Sequence, residues 1–131
     1  MVRKLTIIAA WMSLAVVAYA TLTRVGFVYS IYFKLSPFLM HPDIRAYASF
    51  EHVIAFALFG TICAFAYPKR IIFVCCLVFF SAAILEYLQT LTLDRHGTLI
   101  DAGEKIVGGG IGILAACAIH RLAQYRRRFQ N

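Results

Sequence analysis

The sequence predicts an all-α membrane protein, a bundle of four transmembrane helices with both termini in the cytoplasm. Two observations predict this fold class. Hydrophobic residues make up 62% of the 131-residue chain and charged residues only 15%, whereas an ordinary soluble domain has about 45–50% and about 25%. The apolar residues also fall into four long runs. A soluble basic domain, a disordered tail and a nucleic-acid-binding module are therefore excluded, despite a net charge of +7.

The four runs predict helices over about 5–23, 49–67, 71–91 and 100–120, within a single domain that covers residues 1–131. A helix needs about 20 residues to cross about 30 Å of hydrocarbon. The first run reaches about that length without a charged residue, whereas the other three reach it only by including strongly polar or charged side chains. Helices are expected because backbone in lipid has to satisfy its own hydrogen bonds.

The first run has a second interpretation, a secretory signal peptide. Arg3-Lys4, the apolar stretch and Ala18-Tyr19-Ala20 together imitate such a signal and its cleavage site. We favour an uncleaved first helix, because the three remaining helices carry polar faces that a fourth helix has to cover.

The basic residues predict the orientation of the bundle. With the N-terminus inside, the inner segments hold eight bases and no acid, whereas the outer segments hold the other five bases and five of the six acids. The eight inner bases are Arg3, Lys4, Lys69, Arg70, Arg121, Arg126, Arg127 and Arg128. Lys and Arg are enriched in cytoplasmic loops, so both termini are expected inside. The run at 126–128 is then expected to contact anionic lipids rather than nucleic acid.

The segment from about 24 to 48 is predicted to form a long outer loop. It is rich in Phe and Tyr, which settle at the membrane–water boundary. The loop either anchors the chain at that surface or forms a partial lid over an outward-facing cleft. No metal or cofactor is predicted, because the four cysteines lie inside apolar runs without a Cys-x-x-Cys pair and are typical of small hydrophobic residues.

Polar residues in the third and fourth helices are the candidate functional residues. Glu86 and Gln89 are three positions apart and share one helix face. Asp101 and Lys105 share a face of the next helix, at a matching depth in the membrane. The stripe Gly108, Gly112 and Ala116 favours close helix packing. The fourth helix is therefore predicted to dock against the third, with Lys105 facing Glu86.

Three interpretations of these polar residues remain open. The first is a structural network that fixes helix register, with Glu86 paired to Lys105 and Asp101 paired to Arg95 or Gln89. The second is a polar pocket that opens to the outer leaflet and takes a lipid or amphiphile headgroup. The third is acid–base catalysis by Glu86, which nothing in the spacing requires.

The chain resembles VanZ-like membrane proteins at these residues. Glu86-Tyr87-Leu88-Gln89 matches the family's E-x-x-Q, and the resemblance runs from about 50 to 116. The family's later R…D…G-x-x-x-G pattern and its second-helix acid and aromatic are matched by Arg95-His96, Asp101, Gly108, Gly112, Glu51 and Phe56.

The chain departs from the family pattern at three positions. Many members carry Lys and then His after the second-helix acid, where this chain has His52 and Ala55, and many have Asn where Lys105 stands. A metal or catalytic role that depends on that His is therefore not carried over. The lysine favours an ion pair with Glu86.

The resemblance implies a multi-pass protein of the bacterial inner membrane and cell envelope. The family's namesake is associated with low-level resistance to the glycopeptide teicoplanin. We expect the chain to engage membrane lipids, an amphiphile or a lipid-linked envelope precursor at the outward-facing pocket. The alternatives are a small accessory subunit that binds other membrane-protein subunits and a membrane enzyme that depends on Glu86.

Overall fold

In the computed structural model, the described residues are 2–22, 44–91 and 99–129, and they form four α-helices. The helices are α1 (Val2–Leu22), α2 (Ile44–Ala66), α3 (Ile71–Leu91) and α4 (Leu99–Phe129). The predicted all-helical fold is confirmed for these residues. Most of the predicted outer loop, and Arg95 with His96, lie outside them.

Three of the four described helices are long and apolar enough to cross a membrane: Arg3–Leu22, Ile71–Leu91 and Leu99–Phe129. The part of α2 whose side chains are described, Glu51–Ala66, is apolar as well. Although α4 was predicted to end near 120, it continues to Phe129, and its 31 residues span about 46 Å at about 1.5 Å per residue. The extra length carries the three consecutive arginines of its last turn.

A tight turn connects α2 to α3 and makes them antiparallel neighbours. Pro68 cannot donate a backbone hydrogen bond, so it stops α2. The Arg70 amide donates to the Tyr67 carbonyl at 3.0 Å, and the Val74 amide donates to the Arg70 carbonyl at 3.1 Å. The Arg70 carbonyl therefore accepts a hydrogen bond from the first turn of α3.

Helix α2 lies at the centre of the bundle and contacts α1, α3 and α4. Its Phe56, Phe59 and Cys63 are buried against a core that includes Val74 and Val78 of α3. Most of the α1 surface is exposed, and its buried residues include Ala10, Val17 and Thr21. Helix α2 is therefore the helix around which the other three pack.

The predicted docking partner of the glycine stripe was wrong. Gly108 and Gly112 pack against α2 rather than α3: a Cβ atom on Gly108 would meet the Val53 carbonyl oxygen, and one on Gly112 would meet the Ala57 carbonyl oxygen. Only a residue without a side chain permits this approach of two backbones. Ala116, the third member of the stripe, is also buried.

Helix α2 contributes its own small residues to this contact. A Cβ atom on Gly60 would lie 2.6 Å from the Gly109 carbonyl oxygen. The Thr61 hydroxyl donates to the Gly112 carbonyl at 3.1 Å. Gly109 is turned toward the Val78 side chain of α3. Helix α4 thus contacts both α2 and α3, and glycines line both contacts.

Basic residues from three segments of the chain gather at one end of the bundle, which we call the basic end. The start of α1, the α2–α3 turn and the C-terminal half of α4 meet there: Arg3 lines a cleft with Lys69 and Arg70, and Lys69 lines another with Arg121. Trp11 of α1 also donates a hydrogen bond to the Tyr67 hydroxyl at 3.3 Å. Toward the opposite end lie the polar residues of α3 and α4.

Candidate functional site

A lysine ammonium group is fully buried toward the end of the bundle opposite to the basic end. Lys105 is 0% exposed, and its Nζ forms an ion pair with Glu86 Oε2. The same Nζ donates to Gln89 Oε1 at 2.8 Å. The structure therefore brings together three residues that the sequence placed at one depth, and a buried charge needs such partners.

Helix geometry explains why one lysine reaches both side chains. Glu86 and Gln89 are three positions apart on α3, so their side chains project from the same face. Lys105 lies near the start of α4, and its four-carbon stem extends along apolar surface to the ammonium group. The ion pair thus joins α3 and α4.

Gln89 extends the network to α1. Its amide nitrogen donates to the Thr21 carbonyl at 2.7 Å, while its oxygen accepts from Lys105. The Thr21 hydroxyl donates to the Val17 carbonyl at 2.8 Å. Sequence reasoning missed Thr21, although it follows Ala10 and Val17 on the buried face of α1 and is the polar residue at the end of that face.

Further titratable groups surround the ion pair. His52 of α2 interacts electrostatically with Lys105, Asp101, Glu104 and Glu86. Sequence reasoning did not select His52 or Glu104 for this site. We call these residues together the polar cluster: Thr21, His52, Glu86, Gln89, Asp101, Glu104 and Lys105.

The polar cluster becomes more deeply buried from the start of α4 inward. Asp101 and Glu104 are half-buried, whereas Lys105 is fully buried and Glu86 is 7% exposed. Gly103, between the two acids, is exposed. The first turn of α4 therefore connects the surface to the ion pair.

Two carboxylate oxygens in the polar cluster lack hydrogen-bond partners. Within the described ranges, Glu86 Oε1 and Glu104 Oε2 are buried and accept no hydrogen bond. Carboxylates accept hydrogen bonds but donate none when ionised, and a buried acceptor without a partner is costly. Each of these two atoms retains acceptor capacity for one N–H or O–H donor.

Two further predicted site residues are Glu51 and Arg95. Glu51 is exposed, whereas the next residue, His52, is half-buried and interacts with the charged groups of the polar cluster. Arg95, one of the two predicted partners of Asp101 beside Gln89, lies outside the described residues. Helix α2 thus contributes through His52, a residue that departs from the resembled family pattern.

The polar cluster can supply hydrogen-bond acceptors and negative charge. Three carboxylates, on Glu86, Asp101 and Glu104, accompany the single ammonium group of Lys105. No group of three His, Cys, Asp or Glu side chains in the described residues is arranged to hold a metal ion. The arrangement therefore favours recognition of a ligand that donates hydrogen bonds.

Comparison with known proteins adds no relative: no family model, no curated protein and no solved structure matches the chain. The VanZ-like resemblance stays a prediction that rests on the motif residues.

Proposed function

We propose that the chain is a VanZ-like, four-span protein of the bacterial inner membrane that binds the headgroup of a lipid or amphiphile at the polar cluster. Three helices long and apolar enough to span a membrane support the membrane assignment. The central α2 is the fourth span, since its 23 residues extend over about 34 Å at about 1.5 Å each.

The basic end supports the orientation that we propose. The start of α1 with Arg3, the α2–α3 turn with Lys69 and the C-terminal half of α4 with Arg121 lie together, as they do when the helices alternate in direction. Because Lys and Arg are retained in the cytoplasm, the basic end is the cytoplasmic end and both termini lie inside. The polar cluster then lies toward the outer leaflet, where envelope precursors and lipid headgroups are accessible.

Reporter fusions test this orientation. Green fluorescent protein fused after the last residue should fluoresce, and alkaline phosphatase at the same position should be inactive. The opposite pattern would place the C-terminus outside and would exclude the proposed topology.

The observation that supports a ligand is the pair of unpartnered carboxylate oxygens, Glu86 Oε1 and Glu104 Oε2. A purely structural network would not be expected to contain a buried acceptor without a donor, because the unpartnered acceptor lowers the stability of the fold. A bound headgroup with ammonium, amide or hydroxyl donors would satisfy both oxygens. Lys105 is already engaged by Glu86 and Gln89, so it holds Glu86 in position rather than binding the ligand.

The test separates ligand binding from structure by changing Glu104. In the described part of the chain, Glu104 takes part in no ion pair, so Glu104→Gln leaves the contact between Glu86 and Lys105 in place. We expect it to reduce the lipid or amphiphile that copurifies with the protein, measured by native mass spectrometry of gently extracted protein. Its thermal stability should be unchanged or higher, since a buried charge is removed.

The matched control is Thr90→Val, which changes an exposed polar residue next to Gln89 on α3. It should leave both copurifying ligand and stability as in the unchanged protein. If Glu104→Gln retained the bound molecule and lost stability, the polar cluster would be structural. A stoichiometric protein partner without a selective lipid would instead favour an accessory subunit.

A further inference from the structure

A second candidate binding site lies at the basic end, away from the polar cluster. It is a cleft of about 430 Å³ between α2, α3 and α4. That volume falls within the range of about 300–1,000 Å³ that is typical of small-molecule sites. None of the residues discussed for the polar cluster lines it.

The lining of this cleft is divided into an apolar and a basic part. Ala64, Ile71 and Cys117 supply apolar surface, whereas Lys69 and Arg121 supply positive charge. The α4 residues that line the cleft run from Ala116 to Gln124, a length of about 12 Å along the helix. An elongated site with an apolar part beside a charged part fits an amphiphilic molecule, which has an apolar chain and a charged headgroup.

The charge of the cleft selects an anion. Lys69 and Arg121 are both exposed, and no carboxylate lines the cleft among the described residues. The nearest acids along α3 and α4 are Glu86 and Glu104, which belong to the polar cluster. Arg binds phosphate oxygens in a two-pronged arrangement, and Lys binds them as a point charge.

We propose that this cleft binds an anionic phospholipid, with the phosphate between Lys69 and Arg121 and an acyl chain against Ala64, Ile71 and Cys117. Free phosphate would use the two bases but not the apolar surface. His120 and Gln124, which also line the cleft, add hydrogen-bonding groups for the headgroup. Basic clefts between membrane helices bind anionic headgroups in this way. The proposed orientation places this cleft in the cytoplasmic leaflet, and only that placement rests on the proposed function. The proposal does not depend on a ligand at the polar cluster.

Native mass spectrometry of the full chain in detergent micelles tests the proposal, with dioleoyl phosphatidylglycerol and dioleoyl phosphatidylcholine as probes. We expect one phosphatidylglycerol molecule to bind preferentially. Arg121→Gln should weaken its binding about fivefold, the factor that corresponds to about 1 kcal/mol for one base near an anionic lipid. Arg121 is exposed, so its replacement should leave the helical circular dichroism spectrum unchanged.

Two charge-matched variants serve as controls. Arg70→Gln changes a neighbouring cleft of about 380 Å³ that Arg70 lines with Arg3 and Lys69, and Arg127→Gln changes the end of α4. Each removes one positive charge, and neither should weaken phosphatidylglycerol binding as much as Arg121→Gln. Equal losses in all three variants would overturn the proposal, since the lipid would then respond only to net charge.

Glycerol 3-phosphate distinguishes a lipid from a free phosphate compound. It carries the phosphate without acyl chains, so it should compete poorly for the cleft. Competition at equal concentration would overturn the lipid assignment.

Equal binding of phosphatidylcholine and phosphatidylglycerol would overturn the role of the two bases. Variants at Glu104 should leave this binding unchanged, so the failure of one proposal is distinguishable from the failure of the other.

Discussion

The two contacts of α4 use opposite physical means. Against α2 it presents bare backbone, where Gly108 and Gly112 leave no room for a Cβ atom. Against α3 it presents a charge, where Lys105 binds Glu86 and Gln89. The first contact depends on shape and excludes added atoms. The second contact depends on electrostatics. Removing one charged partner destabilises it, whereas replacing both partners by neutral side chains of similar size is tolerated.

Lys105→Met should have the largest effect. It leaves the Glu86 carboxylate buried without its cation, and breaking a buried pair in this way costs about 3–5 kcal/mol of stability. Unfolding in mixed micelles titrated with SDS measures the difference.

The double variant Lys105→Met with Glu86→Gln should recover most of that loss, because the buried Glu86 charge is removed together with its cation. Equal instability of the single and double variants would mean that the lysine acts through packing and not through charge.

Gly112→Ala should have an intermediate effect, a loss of about 1–3 kcal/mol from overpacking. The new methyl group would meet the Ala57 backbone, which cannot move without displacing α2. Gly110→Ala is the matched control: it lies two residues away in the same helix, where no described atom beyond the adjoining residues and local helix backbone lies within 4 Å of the added Cβ. This control should gain about 0.5–1 kcal/mol, because alanine favours the helix. Similar effects of the two substitutions would contradict the close α2–α4 contact.

Thr61→Val should have the smallest effect. It removes the hydrogen bond from the Thr61 hydroxyl to the Gly112 carbonyl while it keeps a similar shape. Hydrogen bonds between membrane helices are worth about 0.6 kcal/mol on average. The same SDS titration checks this value. A loss as large as that of Gly112→Ala would mean that the α2–α4 contact depends on this hydrogen bond and not on close approach alone.

The positions of the helices were largely predictable from the sequence. A long apolar run indicates a helix, because in lipid no water is present to form hydrogen bonds with the backbone. The prediction for 71–91 coincides with α3. The end of α4 was predicted too early, since the apolar run ends before the helix does. Ala123, Gln124 and the three following arginines favour a helix and continue it to Phe129.

The site was less predictable, because periodicity specifies which residues share one face but not which helix lies opposite. Lys105 and Glu86 could be matched by depth, and they do form a pair. The docking partner of Gly108 and Gly112 could not be inferred from their own helix. The small residues Ala57, Gly60 and Ala64 of α2 carried the missing signal, since close packing requires small residues on both sides.

The ion pair between consecutive helices also bears on biosynthesis. A charged side chain in an inserting helix costs free energy, up to about 2.5–3.5 kcal/mol at the helix centre. For a chain that enters the bilayer as we propose, α3 alone would carry the Glu86 carboxylate into lipid and α4 alone would carry the Lys105 ammonium group. Only seven residues, 92–98, separate the two helices. If the two helices leave the translocon together as a hairpin, the two charges neutralise each other. We therefore expect α3 to enter the lipid only after α4 has been synthesised.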